Sequence, residues 1–433
     1  MKIRFGIPRG LYLFGVLFMS RIYTEFFVAS EQAPILRVYA FAILGITMWV
    51  TVRNLRYLTG TMRWWLGLTL LSLSLLALES YAGWGQWFVY LHVFSKLTDF
   101  LLVFGMYAYY QHKGLPGLKL LIGTIPLILL LNLIIYHPET FTMEGFLEQE
   151  RGVSSASAFL LILPLLYFLN TYFKNGSLLV LVAFFGTLSL IVFLQHRTVW
   201  VTTGVLLIVD VLMLQRTTSV RPTFKRLVPM LVLPVMVVSL GGLAIVLNNE
   251  AVQKKFEQNI ADIQNPDKQG TGSFRLNQFE AYIPFIQEYP IAGMRLEGFE
   301  LPVQFYHSNT GEQVWANGTG HHFHSFYVDR LFYFGLLGLL LALGPPIYLV
   351  IKRLRQPEPM TLEAVTLVTY ACGGLIYGVS YNWPDYYLGL LGLALAAATV
   401  ADTVPAPAPA PTRTVSRQPQ LAHGSIPSVL LHS

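Results

Sequence analysis

The chain has 433 residues, of which 54% are hydrophobic and 12% charged. Soluble globular domains carry about 25% charged residues, so these proportions exclude an ordinary water-soluble protein. The net charge of +6 fits the basic cytoplasmic loops of a membrane protein and gives no reason to invoke nucleic acid. The single cysteine, Cys372, excludes a disulfide framework and a cysteine-based metal site.

Apolar runs recur at the length that crosses a hydrocarbon core about 30 Å thick. They predict an all-α polytopic membrane protein of about twelve transmembrane helices. The spans are expected near 9–29, 34–52, 64–79, 86–110, 115–136, 156–173, 177–195, 198–215, 228–247, 325–350, 361–381 and 384–400. The N-terminus is basic (Lys2, Arg4, Arg9) and then apolar, like a signal peptide. No small-residue cleavage site follows, so it reads as a retained first helix. Basic residues then fall on alternate loops: Arg53, Arg56 and Arg63; Lys113 and Lys119; Lys174; Arg216, Arg221, Lys225 and Arg226; Lys352, Arg353 and Arg355. The other short loops are poor in them, and 137–155 is mainly acidic (Glu139, Glu144, Glu148, Glu150). The alternation places both termini in the cytoplasm.

The expected organisation is nine spans over 1–247, a large external loop at 248–322, three spans over 323–400 and a disordered Pro-Ala-rich tail at 401–433. A loop of this length is functional or disordered, and its aromatic residues (among them Tyr282, Phe285, Phe299, Phe305 and Trp315) argue for a small folded cap. Two helices are expected in it. One covers 250–264. The other covers 274–289, preceded by the turn Gly270-Thr271-Gly272-Ser273 and stopped at Pro290.

Ionisable groups at membrane depth are costly and are paired or functional. Lys96 and Asp99, three apart, are expected to pair. Arg21, Arg37 and Asp210 lie close enough to span ends to snorkel, and Arg37 is the best of them for a direct role. Arg197 occupies the tight turn Gln195-His196-Arg197-Thr198 on the expected outer side, where it is either an interfacial lipid anchor or a fixed anion site. Arg275 is expected in the first turn of the second loop helix, where free N–H groups add to its attraction for phosphate. Arg295 follows in Gly293-Met294-Arg295. Histidines cluster at 307, 321, 322 and 324 without a supporting cysteine or clear carboxylate, so a metal site is not expected. His324 lies where the loop re-enters the membrane, and its ordinary pKa of about 6.5 suits a general base.

His324-Ser325, nine residues, then Gly335-Leu336-Leu337-Gly338 resembles a signature of the bacterial O-antigen ligases. His324-Ser325-Phe326-Tyr327 also resembles the His-Asn-x-Tyr start of that motif in the wider ligase and polymerase superfamily. Arg275, then the helix ending Tyr289-Pro290-Ile291-Ala292-Gly293, is similar to the family's Arg-x-x-x-Trp…Pro-x-x-Gly element. Arg197-Thr198-Val199-Trp200 resembles the arginine that opens the eighth span. Departures are Phe279 for the usual tryptophan, Arg295 for the second glycine of Gly-x-Gly, Tyr333 for a common acidic residue and Ser325 for asparagine.

The resemblance implies a C-type glycosyltransferase-like enzyme. It would move polysaccharide from undecaprenyl pyrophosphate to a lipid A–core sugar hydroxyl, at the periplasmic face of the inner membrane. It implies no nucleotide or redox cofactor and no metal. Arg197 and Arg275 would hold the diphosphate and His324 would take the acceptor's proton, with Ser325 and Tyr327 as further candidate site residues. Single displacement would invert the anomeric centre. Sister enzymes, an O-antigen polymerase or a protein O-oligosaccharyltransferase, and more remotely a transporter, are the competing readings.

Overall fold

The computed structural model describes residues 7–30, 33–148, 150–217, 220, 223–237, 249–265, 270–302, 306, 321 and 323–399. Every regular element described is a helix. Six helices are long and apolar enough to cross a membrane: Pro34–Arg53, Gly60–Trp84, Leu91–Lys113, Ser155–Asn175, Arg197–Leu214 and Phe326–Arg355. Four shorter apolar helices, Leu121–Tyr136, Leu178–Phe193, Leu362–Tyr377 and Asp385–Thr399, accompany them. The protein is therefore an all-helical, polytopic membrane protein, with fewer full-length spans among the described residues than the twelve expected.

The differences have local causes. The expected first span, 9–29, is two helices, Arg9–Leu17 and Arg21–Thr24. Arg21 does not snorkel. Its guanidinium turns back onto the carbonyls of Val28 (2.8 Å) and Ala29 (2.5 Å) and onto Glu25 (3.1 Å), so the charge is satisfied by the bend after the helix. The third span is longer than expected, Gly60–Trp84. Thr59 caps its start by accepting from Met62 N, and Gly85 ends it in the left-handed conformation at φ 69°. Of the ninth expected span, Phe224–Val237 is helical and 238–247 lies outside the described residues, as do His307, His322, Phe305, Trp315 and the tail.

Two buried charges are placed differently from the sequence expectation. Lys96 forms its ion pair with Asp329 of the Phe326–Arg355 helix, rather than with Asp99. Arg330 stands 3.5 Å from the same carboxylate. Asp210 is fully buried and cannot snorkel. Asn170, bonded also to Thr366 (2.9 Å), donates to its carboxylate at 3.1 Å. Removing one partner of a buried pair costs about 3–5 kcal/mol. Arg330 remains near Asp329, so Lys96→Met is expected at the low end, about 3 kcal/mol, measurable as a lower unfolding midpoint in detergent. An unchanged midpoint would show that the pair adds nothing.

The segment expected to be external contains Glu250–Gln264, as expected, and Gly270–Glu288. The second helix starts earlier than the sequence suggests, because Gly270–Ser273 is helical rather than a turn. Arg275 is consequently beyond the first turn, and the free N–H groups of the helix start are not beside it. Below this segment, Tyr282, Met294, Leu296, Phe323, Phe332 and Tyr333 form a second apolar core with Leu76, Val93, Phe94 and Leu97. Tyr282 bonds the buried His321, whose other ring nitrogen meets Leu301 O at 2.9 Å. His321 is thus a structural histidine of this core.

A break in one helix organises the site. The Phe326–Arg355 helix has non-helical backbone at Gly335 (φ 60°, ψ −158°). A break orphans backbone N–H and C=O groups, and the segment after Tyr289 satisfies them. Leu336 N donates to Pro290 O (2.8 Å) and Leu337 N to Ile291 O (3.1 Å). In return, Met294 N donates to Phe332 O (2.8 Å) and Arg295 N to Tyr333 O (2.9 Å). The two glycine-containing stretches singled out by sequence, 290–293 and 335–338, are therefore partners.

Candidate active site

The Arg197–Leu214 helix begins directly at Arg197, after a turn with Gln195 at φ 53°. The Gly270–Glu288 helix carries Arg275. Both arginines line one cavity of about 690 Å³. Val201, Ile263, Phe279, Val328, Leu331 and Ile376 make most of its wall apolar, and Ser325 and Tyr327 also line it. Ser325 caps the next helix. Its Oγ accepts from Val328 N (3.4 Å) and donates to Gly378 O (3.3 Å). Tyr327 donates to Leu375 O at 2.6 Å, so its hydroxyl is committed to the fold.

His324 reaches the same place. Its ring lies 5.6 Å from that of Phe274 and 6.4 Å from that of Tyr381. The Arg275 guanidinium stands 4.7 Å over the same Tyr381 ring. Crowding by the surrounding protein, followed by the Arg275 charge, holds the His324 pKa below its ordinary 6.5, although the residue is exposed. Its imidazole is neutral at pH 7 and able to accept a proton. Arg275 Nε is buried with no hydrogen-bond partner among the described residues, a donor that a bound anion would satisfy.

Arg151 is the residue that sequence reasoning passed over, in a loop read as acidic. His196 Nε2 lies 3.0 Å from Val153 O, so that nitrogen carries the proton and Nδ1 accepts from Arg151 Nη1 at 3.4 Å. Burial, and then Arg151, push His196 down to about 4, consistent with this neutral tautomer. The charge of Arg275 acts on Arg151, and the charges of Arg151 and Arg197 act on Lys255 in the Glu250–Gln264 helix, whose pKa falls below the ordinary lysine value through burial and these neighbours. Four cations from four separate segments thus share one field. Like charges brought together raise the energy of the empty site and favour a multiply charged anion.

Arg37 does not join them. It is exposed near the start of the Pro34–Arg53 helix and does not line the cavity. Arg295 lines a different cavity and pairs with Glu79 at 2.8 Å. Among the described residues no group of three or more metal-ligating side chains gathers.

Residues 179–343 match the family model described as O-Antigen ligase. This chain carries an O-antigen ligase family domain. The matched stretch of the O-antigen ligase domain includes Arg197, Arg275, His324 and both partnered glycine segments, whereas Arg151 lies outside it. No curated protein matches the chain. The family comprises membrane glycosyltransferase-like enzymes, ligases and polymerases, and implies lipid-linked polysaccharide substrates.

Proposed function

We propose that this protein is an O-antigen ligase. It would transfer polysaccharide from undecaprenyl pyrophosphate to a sugar hydroxyl of the lipid A–core, at the periplasmic face of the inner membrane, with both termini cytoplasmic. The observation that carries this reading is the joint placement of Arg197 and Arg275 in one apolar-walled cavity beside His324. A diphosphate on a polyprenyl chain needs cations at one end and an apolar groove at the other, and this cavity offers both.

In the proposed reaction, Arg197 and Arg275 grip the diphosphate oxygens bidentately. Arg151, held by His196, and Lys255 add to the positive field. His324 takes the proton of the acceptor hydroxyl as its oxygen attacks the anomeric carbon. The bond from that carbon to the diphosphate oxygen breaks, its electron pair leaves with undecaprenyl pyrophosphate, and the arginines stabilise the growing negative charge. One displacement inverts the anomeric centre. The phosphoester supplies the driving force, so no nucleotide or redox cofactor enters.

Expression in a ligase-deficient cell that still makes lipid-linked O-antigen tests the assignment. The expected outcome is a ladder of O-antigen on lipid A–core. Absence of a ladder, with donor and acceptor shown to be compatible and the protein present in the membrane, would move the assignment to a polymerase or a protein-glycosylating sister.

A further inference from the structure

Arg295 is one of two non-glycine residues described with positive φ, at 48°. That conformation costs roughly 1–2 kcal/mol for a residue with a Cβ, and such strain persists where the surroundings impose it and frequently marks a functional position. Here the backbone is imposed by the Tyr333 O bond described above, and glycine would satisfy it without strain. The side chain leads to a second groove of about 450 Å³, between the Gly60–Trp84 and Phe326–Arg355 helices. Its apolar wall includes Leu68, Leu75, Leu337 and Leu340, all exposed residues of candidate spans. Among the described residues it shares no lining residue with the candidate active site.

Among the described residues only two charged side chains line this groove, Glu79 and Arg295, paired at 2.8 Å. The Arg295 side chain is 40% exposed and that of Glu79 27%, so a headgroup can reach both. Arg295 commits Nε to Glu79 and Nη1 to Gly293 O (3.4 Å), which leaves Nη2 for a new acceptor. Aromatic residues follow closely on Glu79 in the chain. Tyr81 and Trp87 stack at 4.6 Å and are exposed, and Trp84 donates to Glu300 at 2.7 Å. Such aromatic groups sit at the headgroup level of a bilayer. The charged pair therefore stands where headgroups are and the groove where acyl chains are.

We propose that this groove is a binding site for a zwitterionic phospholipid bearing a primary ammonium, of the phosphatidylethanolamine type. Its phosphate meets Arg295, its ammonium meets Glu79, and an acyl chain fills the groove. The pair is neutral as a unit. A purely anionic headgroup would face the Glu79 carboxylate without compensation, and this is the basis of selectivity. The Arg295 side chain, rather than its backbone, is what the strained position provides.

Native mass spectrometry of the full-length protein from micelles doped with equal phosphatidylethanolamine and phosphatidylglycerol tests the site. Preferential retention of phosphatidylethanolamine, about five-fold or more (about 1 kcal/mol), is expected. Arg295→Gly and Glu79→Gln should each abolish the preference, and the glycine variant should fold because glycine suits the backbone. Leu337→Trp fills the groove while leaving the ion pair intact, and it should reduce retention as well. Equal retention of the two lipids, or a preference that survives Leu337→Trp and Arg295→Gly, overturns the proposal. So does displacement of the lipid by millimolar inorganic phosphate, which would assign a free-phosphate site instead.

Discussion

Replacing His324 with alanine is expected to lower the rate of glycan transfer by about 10²–10⁴-fold, the range of general acid–base contributions, at unchanged levels of folded protein. The residue's backbone N–H reaches Gln278 Oε1 at 3.4 Å and is kept by alanine, and the residue is exposed, so truncation should leave the fold intact. Arg197→Ala or Arg275→Ala should cost about 10²–10³-fold, as when one oxyanion donor is removed. Lysine at either position should recover part of the loss, because charge returns without the planar fork. A ladder of normal intensity from His324→Ala would remove it as base and leave the arginines as the catalysts.

The pH profile separates these roles. His324 must be neutral to accept a proton, and its pKa is held below 6.5 by the surrounding protein and by Arg275. In the free enzyme the acid limb therefore lies below pH 6.5. A bound diphosphate offsets the Arg275 charge and favours the imidazolium, so the pKa rises in the complex. The acid limb of kcat should accordingly fall at higher pH than that of kcat/KM. Coincident limbs would mean that diphosphate and His324 do not share a site. In His324→Gln the imidazole limb should vanish altogether.

What could be read from sequence was what local pattern encodes. Hydropathy gave the membrane class, and the spacing from His324 to Gly335 gave the ligase resemblance. The Glu250–Gln264 helix coincides with the helix-like stretch expected at 250–264. Long-range facts were not legible. Lys96 and Asp99 are neighbours in sequence, but the partner that wins is Asp329, 233 residues away. Arg151 belongs to no motif, and its flanking acidic residues disguised it. Its place beside the other cations depends on His196 bonding both Val153 and Arg151, an arrangement made by folding. Gly270–Ser273 has turn composition but is helical, a case of tertiary context overriding propensity.

Gly335→Ala is expected to destabilise the protein by roughly 4 kcal/mol or more, adding the cost of a glycine-only backbone region to that of overpacking. A Cβ at Gly335 would stand within 2.7 Å of three backbone atoms of Ile291 and Ala292, and one at Gly293 (φ 67°) within 2.6 Å of three backbone atoms of Tyr333, Phe334 and Gly335. Backbone cannot rotate aside as a side chain can, so either the two segments separate or the helix break is reshaped. Both outcomes expose the four hydrogen bonds that join 290–295 to 332–337. Gly293→Ala should behave alike, and the double variant should lose much less than the sum, because the junction fails once. Gly67→Ala, with open space around its Cβ, is the control and should be near neutral. Unfolding midpoints in detergent give the comparison, and a Gly335→Ala protein with the midpoint of Gly67→Ala would disprove the junction. The consequence reaches the chemistry through geometry. The 290–295 segment continues the helix that carries Arg275, and 332–337 continues the one that follows His324, so the junction ties the arginine to the histidine. Under mild conditions in which Gly335→Ala protein still folds, it should therefore lose transfer activity before it loses its membrane helices, which circular dichroism on the same sample would show.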